Sequence, residues 1–219
     1  VRSGHQIPAL QRALQAAGVP VVVAADEIPL RAEPAVAALL TALAVAAHPE
    51  RASAPDALDV LAGPLAGLTS SDLRRIGRRL RALHHRDGYA PPPSDVLLRD
   101  LLLAPLRAAA SGSPVDDDLP ELDAADPGVA AVDRTRRLLL EVRSRIADGA
   151  LPDEVLWTLW SGGRTPHGWP QRLRTAALLG SRPADHDLDA VMALFDAAER
   201  LAGRYPGFLG VQTLSLIHI

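Results

Sequence analysis

One short β-branched run, Val21-Val22-Val23, most constrains what this chain can fold into. Residues 20–24 read as a buried strand. A strand must pair with neighbours, and no second run of that kind follows in 219 residues. Around it the pattern is helical. Residues 7–17 place Ile7, Leu10 and Leu14 on one face, with Pro8 in the first turn and Gly18 as a left-handed stop. Asp26-Glu27 turns the chain, and Pro34 starts a Leu/Ala helix running to about Ala47. Helix, strand and helix in under fifty residues imply a piece of an α/β layer. The expectation is therefore that residues 1–47 are the edge of a larger α/β domain whose sheet lies elsewhere.

The order of these features carries a resemblance. Arg2-Ser3, an amphipathic helix beginning near Gln6, Gly18-Val19-Pro20-Val21, an acidic turn and Glu33-Pro34-Ala35-Val36 resemble the second motor domain of UvrD/Rep-type superfamily 1 DNA helicases. Within that family the pattern is most similar to the actinobacterial AdnA/AdnB helicase–nuclease subunits. Gly4 and Pro8 stand where the family usually has Asn and Arg. The resemblance implies a mainly α chain: the edge of a RecA-like α/β motor domain (1–47) followed by an inserted helical accessory domain (48–213). For the whole parent protein it implies ATP-driven translocation on single-stranded DNA and duplex unwinding in DNA repair, with ATP and Mg2+ as cofactors. A second helicase–nuclease subunit would be a partner. Arg2, Ser3 and Gln6 would lie near the single strand.

Composition limits the alternatives. Aromatics are 3% of the residues, so Leu, Val and Ala must fill the core. All 23 basic residues are Arg, and neither Lys nor Asn occurs. With abundant Ala, this looks like the bias of a GC-rich bacterial genome. A net charge of −3 gives no overall attraction to nucleic acid, so any DNA contact must come from a local patch. The absence of Cys removes disulfides and thiolate metal sites. No apolar run has membrane-spanning length and no signal peptide is evident, which implies a soluble, cytoplasmic protein with no membrane partner. Residues 214–219, Leu-Ser-Leu-Ile-His-Ile, break the composition of the rest. They resemble a translated sequencing adapter, so the chain is expected to be an internal fragment.

The main candidate site lies in the middle. A helix over 54–62 leads into Gly63-Pro64-Leu65-Ala66-Gly67-Leu68-Thr69. Thr69, with Asp72 three residues on, is placed to cap a helix over 70–85. That helix sets Leu73, Ile76, Leu80 and Leu83 against Arg74, Arg75, Arg78, Arg79 and Arg81. Such arginines suit phosphate oxygens, since their forked donors match phosphate geometry and a helix N-terminus adds backbone donors. The same residues also suit a plain solvated basic face, favoured near a helix C-terminus by the dipole. In the helicase family the inserted domain carries a Thr-Pro-x-x-Gly-Ile-Gly turn that grips duplex backbone. Residues 63–69 resemble it, with Pro64 and Gly67 kept and Thr69 in place of the second turn glycine. The resemblance implies duplex contact by Gly67, Thr69, Arg74, Arg75, Arg78 and Arg79.

Elsewhere the residues favour structural readings. Residues 87–93 form a Pro-rich connector, Ser94 or Asp95 caps a helix to Leu103, and 110–128 form a punctuated acidic loop. Asp116-Asp117-Asp118 suggests hard cations, but adjacent side chains diverge and no calcium-loop spacing is present. Further helices are expected over 129–147, 151–160 and 185–204. Trp157, Trp160 and Trp169 suit packing more than base stacking. Asp185-His186-Asp187 lacks a third ligand at a helical offset and reads as a helix start. No Gly-x-x-x-x-Gly-Lys-Ser/Thr loop, Gly-x-Ser-x-Gly elbow or His-Glu-x-x-His helix occurs. The fragment is thus expected to contribute DNA contacts to a helicase without hydrolysing ATP itself. The alternative is a helical protein-interaction or structural module with no catalytic activity.

Overall fold

Thr41 is the single polar side chain between Pro34 and Ala47, and a helix apolar on every side must be covered on every side. In the computed structural model, which describes residues 29–86, 90–114, 122–162, 168–204 and 210–211, this segment is helix α1 (Pro34–Ala47). It is the central element. Val36, Leu39, Ala42, Leu43 and Ala46 have no exposed surface. Around it pack α2 (Ala54–Ala62), α5 (Pro127–Ala147), α6 (Pro152–Gly162) and α8 (Arg182–Ala202). A second layer is formed by α4 (Ser94–Ser111), which lies on α2 and α5. Helix α3 (Ser70–Arg86) packs on α4 and α5, and α7 (Trp169–Leu178) packs on α8. No strand occurs among the described residues, so they are mainly α, as expected.

The expected division between residues 47 and 48 falls inside this body. One continuous aliphatic core runs from α1 through α2, α4, α5, α6 and α8. Cutting after α1 would uncover the faces of α2, α5, α6 and α8 that pack on it. Side chains from the second layer and from α5 secure the end of α1. Arg143 donates to the Ala47 carbonyl at 2.6 Å, where a cation complements the helix C-terminus. Arg107 donates to the carbonyls of Pro49 at 3.1 Å and Ala52 at 3.4 Å, fixing the connector into α2.

Several boundaries differ from expectation for identifiable reasons. Helix α4 begins one residue after Pro93, without a side-chain cap, and runs eight residues beyond Leu103 to Ser111. It continues through Pro105 because Leu101, Leu102, Leu103, Pro105 and Leu106 are all buried, and this burial offsets the lost backbone bond. It ends at Gly112 in the left-handed region. Helix α5 starts at Pro127, two residues early, because the Asp126 carboxylate accepts the Gly128 N–H at 2.8 Å. Helix α8 starts at Arg182, capped by Ser181, three residues before the expected Asp185, which lies in the first turn with His186 and Asp187 following it. Helix α7 was not expected: only Trp169 is fully buried in it, and its apolar stripe, Trp169, Leu173, Ala176 and Ala177, is short and half Ala. The proposed helix over 7–17, the strand over 20–24, Asp116-Asp117-Asp118 and residues 214–219 lie outside the described residues.

Candidate nucleic-acid interface

Helix α3 is set at its start by reciprocal capping. The Thr69 N–H and hydroxyl donate to one Asp72 oxygen at 3.0 and 2.6 Å, and the Asp72 N–H donates to the Thr69 hydroxyl at 3.2 Å. Aspartate therefore closes a box more often completed by Glu or Gln. The inner side of the helix buries Ile76 and Leu80. Gly77 brings α3 unusually close to α4: a Cβ there would stand 2.9 Å from the Ser94 Cβ.

The arginines of α3 do not act alike. Arg75 turns inward and forks onto Asp126, with Nε and Nη2 at 2.8 and 2.7 Å from its two oxygens, while Nη2 also reaches Asp72 at 2.9 Å. Bidentate guanidinium–carboxylate pairs are the strong form of this contact. The pair joins α3 to the first turn of α5 and takes Arg75 out of the outward set. The Arg75 fork is the main reason the Asp126 carboxyl is held below its usual range, assisted by the Gly128 N–H. Asp72 is lowered chiefly by the Thr69 hydroxyl and N–H, then by Arg75. The Arg75 guanidinium is raised, first by Asp126 and then by Asp72.

Arg74, Arg78 and Arg81 are exposed and follow one another along one line of the helix, with exposed Arg79 beside them. Arg74 makes only a long contact to the Ser71 hydroxyl at 3.4 Å. Among the described residues, none of these four forms an ion pair. They make a stripe of donors about one turn apart, roughly 6 Å per step.

The turn before α3 is arranged differently from a phosphate grip. Gly67 adopts φ +70°, which suits glycine, and no atom would meet a Cβ there within 4 Å. Its N–H donates to the Gly63 carbonyl at 2.8 Å, and the Leu68 N–H donates to Leu61 at 3.0 Å, with Leu68 buried as the anchor. With the Thr69 and Asp72 N–H groups in the capping box, the backbone donors at 67, 68, 69 and 72 all have internal acceptors. Asp72 also places a carboxylate at the positive end of the helix, where a phosphate would otherwise be favoured. The turn is braced from α7 by Arg172, which donates to the Pro64 carbonyl at 2.9 Å. Gly67, Leu68, Thr69 and Asp72 thus spend their N–H groups internally, and the charged donors facing outward are the guanidinium groups.

The other candidates separate. Arg2, Ser3 and Gln6 lie outside the described residues. Trp160 and Trp169 are buried and meet edge to face, with centroids 5.1 Å apart, as packing anchors. Trp157 is apart from them and 52% exposed. His186 Nε2 lies 2.9 Å from the buried Glu33 carboxylate, a contact that local pattern cannot reveal because 153 residues separate the two. Among the described residues, no group of three or more His, Asp or Glu could hold a metal ion, and no helix is long and apolar enough to cross a membrane. No protein-family model matches this chain, and no curated protein sequence matches it.

Proposed function

We propose that this chain is part of a UvrD/Rep-type, ATP-dependent DNA helicase and that α3 contributes its contact with duplex phosphates. The observation that carries the reading is the row Arg74, Arg78, Arg79 and Arg81, exposed on a helix whose remaining faces are fixed by α4, α5 and the Arg75–Asp126 pair. Four guanidinium groups that form no ion pair among the described residues make the local basic patch that a net charge of −3 otherwise denies the protein. The sequence pattern of residues 1–47 and of the turn at 63–69 supports the choice of family. In this reading ATP and Mg2+ bind elsewhere in the parent, since a chain without lysine cannot supply a phosphate-binding loop of the Gly-Lys-Ser/Thr kind. A second helicase–nuclease subunit and a cytoplasmic site of action belong to the same reading. Gly67, Thr69 and Arg75 act as supports of the arginine row rather than as direct phosphate ligands.

The test is a salt titration of binding to a duplex with a single-stranded tail, followed by fluorescence anisotropy, for the chain and for Arg74→Glu/Arg78→Glu. Each lost phosphate contact lowers the log–log salt slope by about 0.9, so the double variant should lose about 1.8 from the slope as well as affinity. Unchanged affinity and slope would remove α3 from the interface. Failure to bind DNA, together with capture of α3 by an acidic protein segment, would favour the interaction-module alternative.

A further inference from the structure

Helices α5, α6 and α8 enclose an open cavity of about 560 Å³ on another face of the molecule. Glu141 and Arg145 line it from α5, Asp153, Glu154 and Trp157 from α6, and Phe195 from α8. Two observations distinguish it from ordinary surface. Trp157 is 52% exposed although the protein has only three Trp residues and buries the other two. Its indole meets the Phe195 ring edge-on at 6.1 Å, so the pair forms a fixed aromatic ledge. Met192, one turn before Phe195, extends that apolar strip and is 67% exposed. The second observation is charge. Three carboxylates against one guanidinium leave the lining at a formal −2, and Arg145 lies only 3.8 Å from Glu141, its own neighbour along α5. Exposed Asp196 and Glu199 on α8 flank the ledge with further negative charge.

We propose that this face docks an arginine-bearing segment of a protein partner. A guanidinium is the group that satisfies both features at once: its plane stacks on an indole face, and its edge donates in forked pairs to carboxylates. The cavity has the size that takes one or two such side chains. A nucleic acid could stack its bases on Trp157, but its phosphates would face the same carboxylates that attract a guanidinium. The inference is independent of the duplex reading for α3, because it uses a different face and the opposite charge.

The experiment uses the intact chain and labelled peptides of about ten residues carrying two Arg four positions apart, with Lys and Glu counterparts and an oligothymidine as competitors. The Arg peptide should bind, the Lys peptide should bind about fivefold more weakly, and the Glu peptide should not bind. Trp157→Ala should weaken the Arg peptide about tenfold, and Trp157→Phe by no more than about threefold. Glu141→Gln/Asp153→Asn should weaken it about tenfold and flatten its salt dependence. Equal binding of Arg and Glu peptides, no effect of Trp157→Ala, or displacement of the peptide by oligothymidine would overturn the assignment. Should Trp157→Ala fail to fold, by its circular dichroism, the carboxylate double variant decides alone.

Discussion

Leu39 tests the central place of α1 more directly than any other residue. It has no exposed surface and sits midway along a helix that touches α2, α5, α6 and α8. Leu39→Ala removes three carbons, worth about 2.4 kcal/mol of transfer free energy at about 0.8 kcal/mol each. The void adds a second contribution. Neighbours from four helices cannot all collapse inward, and about 50 Å³ of residual cavity at about 24 cal/mol per Å³ adds roughly 1.2 kcal/mol. The expected loss is therefore about 3.5 kcal/mol. For a chain of this size each kcal/mol lowers Tm by about 2–4 °C, so the variant should melt about 7–14 °C lower. Thermal and urea unfolding followed by circular dichroism would measure it, with exposed Leu178→Ala as the control, expected within about 0.5 kcal/mol of the parent. A loss under about 1 kcal/mol at Leu39 would mean that α1 lies at the margin of the helical body. It would then restore a division after Ala47 as the better description.

Three further outcomes follow from named contacts. Gly77→Ala gains about 1 kcal/mol of helix propensity but drives a Cβ to 2.9 Å from the Ser94 Cβ, an overpacking cost of about 1–3 kcal/mol; a net loss near 1 kcal/mol in urea unfolding is expected, and a net gain would refute the close approach of α3 and α4. Asp126 is held below the ordinary aspartate value of 3.8, first by Arg75, so its contribution is complete above that pH and declines as pH falls through the depressed folded value. The stability gap between the parent and Asp126→Asn should accordingly stay constant from neutrality to about pH 5 and shrink in stronger acid, and a gap independent of pH would sink the pairing. Asp187 is raised above 3.8, chiefly by burial, with Glu33 adding to the rise and His186 opposing it. The sign is opposite: stability from its protonated form is lost as pH rises. Asp187→Asn should therefore gain on the parent in Tm between about pH 3 and neutrality, and a falling difference over that range would show that His186 outweighs burial.

Much of the fold was legible locally. Pro34 and Pro152 open α1 and α6 at the first helical position, Gly149 ends the turn after α5, and Ser53 with Asp56 and Thr69 with Asp72 announce two helix starts within four residues each. Periodicity also separated the two sides of α3. What the residues alone did not reveal depends on distant partners. The bare apolar character of α1 was visible, but its use as a hub required knowing which four helices surround it. The continuation of α4 through Pro105 depends on buried leucines outweighing a missing N–H. Helix α7 has only a short apolar stripe, Trp169, Leu173, Ala176 and Ala177, and is held by α8. Within the candidate site, five arginines look equivalent in sequence. Asp126, 51 residues away, distinguishes Arg75 from the others. The three tryptophans likewise look like one cluster, yet the fold buries two together and leaves the third on another face.

A chain whose basic residues are all arginine uses one side chain for two incompatible purposes, and hydrogen-bond geometry separates them. Arg75, Arg107, Arg143 and Arg172 each reach across the fold to carboxylates or carbonyls on other elements. These contacts exploit the several fixed donors of a guanidinium: Arg107 joins two carbonyls and Asp100, and Arg75 joins two carboxylates. An ammonium could not reproduce that planar spread. Among the described residues, Arg74, Arg78, Arg79 and Arg81 form no hydrogen bond or ion pair to another element. The use of Arg for every basic residue accounts for their being Arg rather than Lys, but not for four cations standing together on the outer side of a helix that already has a well-packed inner face. Mutual repulsion along that row lowers the stability of α3 unless an anion or solvent screens it. Asp72 and Asp126 are available nearby, yet both are drawn to Arg75 and leave the row without counter-charge. The Arg75 pair thus fixes the helix and, by occupying the adjacent carboxylates, leaves the outward arginines exposed, which is what the proposed phosphate contact requires.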